Sequence, residues 1–138
     1  MAFETLFTAT AVSHGGRGGH SETTEGSVKA DLAMPKGGVL EPGKTTPEHL
    51  FAAGYAACFG GALEAVSKAK GVDASGAEVT IAVSFGKVEG GFGLAAKIRA
   101  KIPGKSEAEV MELLEAAHKV CPYSKAVHGN IEVELSAA

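Results

Sequence analysis

The chain has 138 residues and a net charge of −3, with 45% hydrophobic and 21% charged residues. This length and composition predict a single globular domain over residues 1–138. The chain has no run of Lys and Arg and no Trp, so neither a phosphate-binding patch nor a base-stacking platform for nucleic acid is expected. We also find no signal peptide and no uninterrupted apolar run long enough for a bilayer, and we therefore expect a cytoplasmic protein without membrane contact.

The N-terminal third alternates between predicted strands and loops. Residues 3–12 are rich in Phe, Thr and Val and predict a first strand. Residues 13–26 are rich in Gly, Ser and Thr and predict a loop. Apolar and charged residues alternate over 28–32, which predicts a second strand, and the Pro and Gly residues of 35–46 predict another loop.

A long apolar helix is predicted next. Thr46 is a suitable N-cap, Pro47 suits the first helical position, and Glu48 complements the positive end of the helix dipole. The helix is expected to end near Lys70, before Gly71. Its first half is apolar on every side and is therefore expected to be buried all round. A helix of this length in so small a domain indicates that a second subunit covers it.

A β-hairpin is predicted in the second half of the chain. Apolar residues alternate with polar or small ones over 79–85 and again over 92–102, and Gly90 lies between the two runs.

A second helix and a final strand follow the hairpin. Ser106 and Glu109 form the sequence pattern of a capping box, and the helix that they open is expected to end before Pro122. Alternation over 131–135 predicts the last strand. The resulting order, β-β-α-β-β-α-β, predicts an α+β fold with antiparallel sheets around two helices.

The chain has two cysteines, Cys58 and Cys121. A permanent disulfide is not expected in a reducing cytosol, which leaves two inert core thiols or a redox pair. The residues around Cys58 are small enough to leave room for a second sulfur, and Cys121 continues the apolar stripe of the second helix, so both cysteines face the presumed core. A metal site built from His14, His20 or His49 and a cysteine has no supporting ligand spacing.

Arg17 lies between two pairs of glycines in the first predicted loop. Glycine allows the backbone to bend so that the guanidinium points inward, and a solvated charge on the loop is the alternative. The other arginine, Arg99, falls in a predicted strand and is expected to be a surface charge.

Four motifs carry a resemblance to a known family: residues 14–19 (HGGRGG), 46–59 (TPEHLFAAGYAACF), 121–126 (CPYSKA) and 129–131 (GNI). Along essentially its whole length the chain resembles the organic hydroperoxide resistance proteins, the Ohr branch of the OsmC/Ohr family. Lys125 and His128 depart from the commonest pattern of that branch.

The resemblance implies an intertwined α+β homodimer with active sites at the subunit interface. It implies a peroxidatic Cys58, a resolving Cys121, a catalytic Arg17 and a catalytic Glu48. The implied reaction reduces organic hydroperoxides, including those of fatty acids, through a sulfenic acid and a disulfide. The implied reductant is a dihydrolipoyl-type dithiol, and no metal or organic cofactor takes part. An OsmC-branch peroxidase with a broader peroxide range and a non-catalytic protein with two core cysteines are the alternatives.

The spacing of two implied site residues adds an expectation about assembly. Glu48 and Cys58 lie ten residues apart on one predicted helix, about 15 Å along its axis. A straight helix therefore cannot bring Glu48 to the Arg17 that contacts Cys58 of the same chain. Either the helix is broken, or each site takes its Glu48 from the other subunit of an obligate two-fold dimer.

Overall fold

A computed structural model of the protein describes residues 2–138 and contains two compact units. The first unit ends at Pro47, and the second is Glu48–Ala138. The elements in chain order are β1 (Ala11–His14), a 3-10 helix (Gly16–Gly18), β2 (His20–Thr23), β3 (Lys29–Asp31), α1 (Pro47–Ala69), β4 (Glu78–Val88), β5 (Gly91–Lys101), α2 (Glu107–Val120), α3 (Pro122–Val127) and β6 (Glu132–Ala137). The α+β class is confirmed, and a single domain over residues 1–138 stays a prediction.

The first unit contains a three-stranded antiparallel sheet in the order β1-β2-β3. The loop expected over residues 13–26 is wrong in part, because β2 lies within it and the 3-10 helix joins β2 to β1. Glycine is required in this tight connection. Gly15 and Gly16 have φ of 79° and 60°, and a Cβ on Gly19 would collide with the His14 carbonyl oxygen.

The strand expected over residues 3–12 is wrong for most of its length, because β1 begins only at Ala11. Phe3, Leu6 and Phe7 are exposed by 92%, 87% and 86%. An alternating pattern defines two faces of a strand, but a strand also needs a neighbour for its backbone hydrogen-bonding groups. The Thr10 carbonyl oxygen accepts the Thr24 N–H at 2.9 Å, but no strand of the described chain pairs with the residues before Thr10.

The second unit contains the other sheet, in the order β4-β5-β6. β4 and β5 form the expected antiparallel hairpin, and Val88 pairs with Gly91 beside the turn. Gly90 in that turn has a φ of 84°. β6 pairs with β5 in parallel, from Ala95 and Glu132 onward. The expectation of purely antiparallel sheets is therefore wrong at β6, because the α2–α3 segment forms a crossover that brings the chain back in the same direction.

The hydrophobic core of the second unit lies between this sheet and the helices α1 and α2. The alternation of β5 places Ala96, Ile98 and Ala100 in the core and leaves Lys97 and Arg99 exposed. The exposed position of Arg99 confirms the sequence interpretation. The stripe of α2 that packs on this core consists of Val110, Leu113, Leu114 and Ala117.

Helix α1 begins and ends where the sequence predicts. It runs without a break over Pro47–Ala69, so the alternative of a broken helix is excluded. Gly71 follows it with a φ of 70°, and the Val72 N–H donates to the Ser67 carbonyl oxygen at 2.8 Å. This is the hydrogen-bonding pattern of a glycine C-cap.

Within one chain α1 is not buried all round, and the expected cover by a second subunit stays a prediction. Its core side carries Tyr55, Phe59 and Leu63, which are at most 1% exposed. Its opposite side, here called the open face, is exposed at Leu50, Ala53, Ala57, Gly61 and Glu64. These positions are three or four residues apart and form one helical stripe. Apolar composition alone therefore did not identify which side of α1 its own chain covers.

By length and composition α1 could cross a bilayer, whereas the sequence led us to expect no segment long and apolar enough to do so. The surroundings of its side chains indicate instead a helix in the core of a globular unit. Tyr55 and Phe59 lie in the core with α2 and the sheet, and Glu64 lies on the open face. These are the surroundings of a core helix in a globular unit.

Candidate active site

The two cysteines meet in the second unit. The Cys121 thiol donates a weak hydrogen bond to Sγ of Cys58, with the two sulfurs 3.5 Å apart and 63 residues apart in sequence. Both cysteines are free thiols; Cys58 is partly buried and Cys121 is fully buried. The expectation that both face the core is confirmed, and the structure brings the two sulfurs into contact there.

The junction of two helices positions Cys121. Cys121 is the C-cap of α2 and the N-cap of α3, with an extended backbone of φ −62° and ψ 122°. Pro122 cannot continue α2, but its fixed φ suits the first turn of α3. The short helix α3 is missing from the sequence prediction, although Pro122 directly after Cys121 is the signal that could have indicated it.

Helix α3 packs against the first half of α1 through Tyr123. The Tyr123 ring stacks on Phe51 with centroids 6.0 Å apart. A Cβ on Gly54 would lie 3.1 Å from the Tyr123 hydroxyl oxygen. Gly54 therefore makes room for an aromatic side chain of the same chain.

The surroundings of Cys58 favour its protonated form. Burial raises the pKa of the Cys58 thiol, and the neighbouring Cys121 raises it further. A hydrogen bond from the Tyr123 backbone N–H opposes these effects and lowers the pKa. Since the thiolate is the reactive form, a positive charge close to Cys58 would make this thiol more reactive near neutral pH.

A chain of hydrogen bonds, which the sequence analysis missed, lies beside the cysteines. The Tyr55 hydroxyl is 2.7 Å from Oγ of Ser124, and Nδ1 of His118 is 2.8 Å from the same oxygen. Burial raises the pKa of Tyr55. Burial and the nearby His128 lower the pKa of His118. This chain connects side chains of α1, α2 and α3.

The other two implied site residues lie in different units. Arg17 is in the exposed 3-10 helix of the first unit, and Glu48 is in the first turn of α1. Their action on Cys58 stays a prediction. His20 pairs with Asp31 at 2.7 Å and with Glu22 at 2.9 Å. Across residues 2–138, no group of three or more His, Cys, Asp or Glu side chains is arranged to hold a metal ion.

Comparison with known proteins adds a family context to this geometry. A family model described as OsmC-like protein matches residues 40–136. The organic hydroperoxide resistance protein of Xanthomonas axonopodis pv. citri (strain 306) is 44% identical over 137 residues, which cover 96% of this chain and 95% of that protein. The organic hydroperoxide resistance protein OhrB of Bacillus subtilis (strain 168) is 42% identical over 132 residues, which cover 94% of this chain and 96% of that protein.

The fold also matches solved structures. A crystal structure of an organic hydroperoxide resistance protein OsmC from Legionella pneumophila superposes with a TM-score of 0.88 at 45% sequence identity. The match covers 98% of this chain and 99% of that one.

Proposed function

The chain belongs to the OsmC/Ohr family, and from this premise we propose that it is a cysteine-based peroxidase that reduces organic hydroperoxides to alcohols. The names of its relatives, organic hydroperoxide resistance proteins, support this substrate class. The observation that carries the proposal is the 3.5 Å contact between the sulfurs of Cys58 and Cys121. Two thiols at this distance are suited to form a transient disulfide.

In the proposed reaction, the Cys58 thiolate attacks one oxygen of the hydroperoxide. An S–O bond forms, the O–O bond breaks, and the departing alkoxide takes up a proton to become the alcohol. The Cys58 sulfenic acid then condenses with the Cys121 thiol, which releases water and leaves a disulfide. An external dithiol, in our proposal of the lipoyl type, reduces this disulfide to the two starting thiols.

Arg17 and Glu48 complete the proposed site on chemical grounds. Because burial raises the pKa of Cys58, a permanently charged guanidinium beside the sulfur would restore the thiolate. The same group would stabilise the developing alkoxide. A carboxylate next to a thiolate would be harmful by itself, so the role we assign to Glu48 is to orient Arg17 through a bidentate pair.

We also propose that the active form is a two-fold cytoplasmic dimer with composite sites. The unbroken helix α1 separates Glu48 from Cys58 by about 15 Å along its axis. The open face of α1 is apolar over most of its length, and a cavity of about 720 Å³ runs beside it at Ala57, Gly61 and Glu64. A second copy that covers this face would bury apolar surface and bring one chain's Glu48 to the other chain's Cys58.

The decisive experiment treats the reduced protein with one equivalent of cumene hydroperoxide and measures its mass and thiol content. We expect a loss of two hydrogens and an intramolecular Cys58–Cys121 disulfide. Two unreacted thiols would contradict a peroxidase and support inert core cysteines. A parallel reaction with hydrogen peroxide at an equal or higher rate would favour the OsmC-branch alternative.

A further inference from the structure

Three buried or partly buried side chains bridge the helices that carry the cysteines. Ser124 lies in the middle, with its hydroxyl 2.7 Å from that of Tyr55 and 2.8 Å from Nδ1 of His118. Tyr55 is 0% exposed and Ser124 is 1% exposed. The bridge therefore fastens α1, α2 and α3 together in the interior.

The bridge lies one helical turn from each sulfur. Tyr55 precedes Cys58 by three residues on α1, and Ser124 follows Cys121 by three residues at the start of α3. Residues three apart on a helix share a face. The sulfur contact and the Tyr55–Ser124 hydrogen bond are thus two neighbouring links between the same pair of elements.

Only one arrangement of the hydroxyl hydrogens gives both hydroxyl groups of the bridge an acceptor within it. The Tyr55 hydroxyl donates to Ser124, and the Ser124 hydroxyl donates to Nδ1 of a neutral His118, whose ring proton is on Nε2. The reverse direction would leave the Tyr55 hydroxyl hydrogen without an acceptor in the bridge, in a fully buried position. The lowered pKa of His118 favours the neutral ring that the first arrangement requires. His118 also lines an open cavity of about 550 Å³.

We propose that Tyr55, Ser124 and His118 act as one positioning unit that controls closure of the Cys58–Cys121 disulfide, the second chemical step. This inference rests on the proposed function. The sulfurs are 3.5 Å apart, and a disulfide bond is about 2 Å long. The two sulfurs must therefore approach each other by about 1.5 Å, and the position of the α2–α3 junction relative to α1 determines how easily they do so. Ser124 holds that junction to α1.

The chemistry of the step explains why position matters more than acid–base catalysis. The Cys121 sulfur attacks the sulfur of the Cys58 sulfenic acid, the S–S bond forms and the S–O bond breaks. The hydroxide leaves with the proton of the Cys121 thiol as water, so no external proton or electron is needed. A fully buried Cys121 reacts only with a group that is held in line with it, which makes the geometry of the junction rate-controlling.

The test follows the two steps separately after one equivalent of cumene hydroperoxide. Dimedone trapping reports the Cys58 sulfenic acid, and mass spectrometry reports the disulfide. We expect Ser124→Ala to oxidise Cys58 within about twofold of the wild-type rate and to close the disulfide at least tenfold more slowly. Tyr55→Phe, which keeps the ring, should slow closure alone, and trapped sulfenic acid should accumulate in both variants.

Three further variants separate positioning from proton transfer and from general destabilisation. His118→Gln can still accept the Ser124 hydrogen bond without titrating and should close at nearly the wild-type rate, whereas His118→Leu should close slowly. Ser67→Ala is the matched control. Ser67 is also a buried serine of the second unit, but its hydroxyl has no hydrogen-bond partner within residues 2–138, so both steps should remain unchanged.

Each outcome has a distinct meaning. Wild-type closure rates in Ser124→Ala, or in Tyr55→Phe where Ser124→Ala does not fold, would overturn the positioning inference and leave the peroxidase proposal intact. Equal slowing of both steps would also overturn it, because the bridge would then act on the whole site. Failure of wild-type Cys58 to become oxidised would instead overturn the proposed function.

Discussion

The two long helices of the second unit differ in how well the surface of each suits a single chain, with its apolar side buried and its polar side exposed. Helix α2 has a complete capping box between Ser106 and Glu109, a buried apolar stripe, and charged residues such as Glu112 and Lys119 on its exposed side. Helix α1 has equally well-defined ends, but its open face carries Leu50, Ala53, Ala57 and Gly61.

The two helices therefore differ in how complete each is within one chain. The buried stripe and the exposed charges of α2 suit both of its sides without a second subunit. Helix α1 also carries Cys58 and Glu48, and its open face is left for another surface to cover. We infer that the sequence of α1 serves dimer formation and catalysis as well as the folding of its own chain.

The largest effect should come from the cysteines at the two helices. Cys58→Ser should abolish peroxide reduction, because it removes the attacking sulfur. Cys121→Ser should allow one turnover and then accumulate oxidised Cys58. Single-turnover kinetics with mass spectrometry measures both. Equal loss of the first turnover in the two variants would contradict the assigned roles and the distinction between α1 and the end of α2.

A second large effect is expected from Arg17→Lys, which tests whether α1 needs a group from the first unit. Lysine keeps the charge but loses the planar fork, so we expect a rate about 100-fold lower at neutral pH. Because burial raises the pKa of Cys58, the rate of the variant should rise as the pH increases, whereas the wild-type rate should already be near its plateau. A near-wild-type rate at neutral pH would identify Arg17 as a plain loop charge.

Mixed dimers test the composite site directly. Glu48→Ala and Cys58→Ser, each inactive alone, are to be unfolded together and refolded. In each mixed dimer one site collects both changes and the other collects neither, so about one site in two should be active. Mixed dimers that form but recover no activity would show that Glu48 and Cys58 serve the same chain's site.

The same Ala→Glu substitution on the open face of α1 and on the exposed side of α2 tests whether the open face forms the dimer interface. Ala57→Glu places a charge on the open face and should dissociate the proposed dimer, because burying an unpaired carboxylate costs on the order of several kcal/mol. Ala108→Glu places the same charge on the exposed side of α2 and should leave the assembly unchanged. Light scattering measures both, and a monomeric wild type or an intact Ala57→Glu dimer would refute the assignment.

The smallest effect is expected at the start of α2. Ser106→Ala removes the hydroxyl that accepts the Glu109 N–H at 3.2 Å and should lower the free energy of unfolding by about 1 kcal/mol. Peroxide reduction should be unchanged, since the capping box is a purely structural feature of α2. Urea unfolding measures the first quantity. Reduced activity in a folded variant would mean that the start of α2 also affects the site.

Features set by short-range chemistry were predictable from the sequence. The bounds of α1, the capping box of α2 and the β4–β5 hairpin each depend on a few neighbouring residues with known backbone preferences. The inward facing of Cys121 was also predictable, because Cys121 continues the apolar stripe of α2. The first half of α1 is apolar on every side, so its pattern did not determine which way Cys58 faces. The motifs around them were long enough to reveal the family.

Features set by distant neighbours were not predictable. Alternation in residues 131–135 indicated a strand but not its parallel direction, which depends on the crossover through α3. The pattern of residues 3–12 indicated two faces without showing whether another strand lies beside them. The bridge through Ser124 joins α1 to a residue 69 positions later in the chain, and no local signal encodes such a contact.

The separation of the two cysteines along the chain has a thermodynamic consequence. A bond between Cys58 and Cys121, which are 63 residues apart, would turn the second half of α1, the β4–β5 hairpin and all of α2 into a covalent ring. Restricting the unfolded chain in this way is worth about 4 kcal/mol in the loop-entropy model. Each catalytic cycle would then alternate between a looser and a tighter molecule, and the melting temperature of a sample would report the fraction of protein awaiting its reductant.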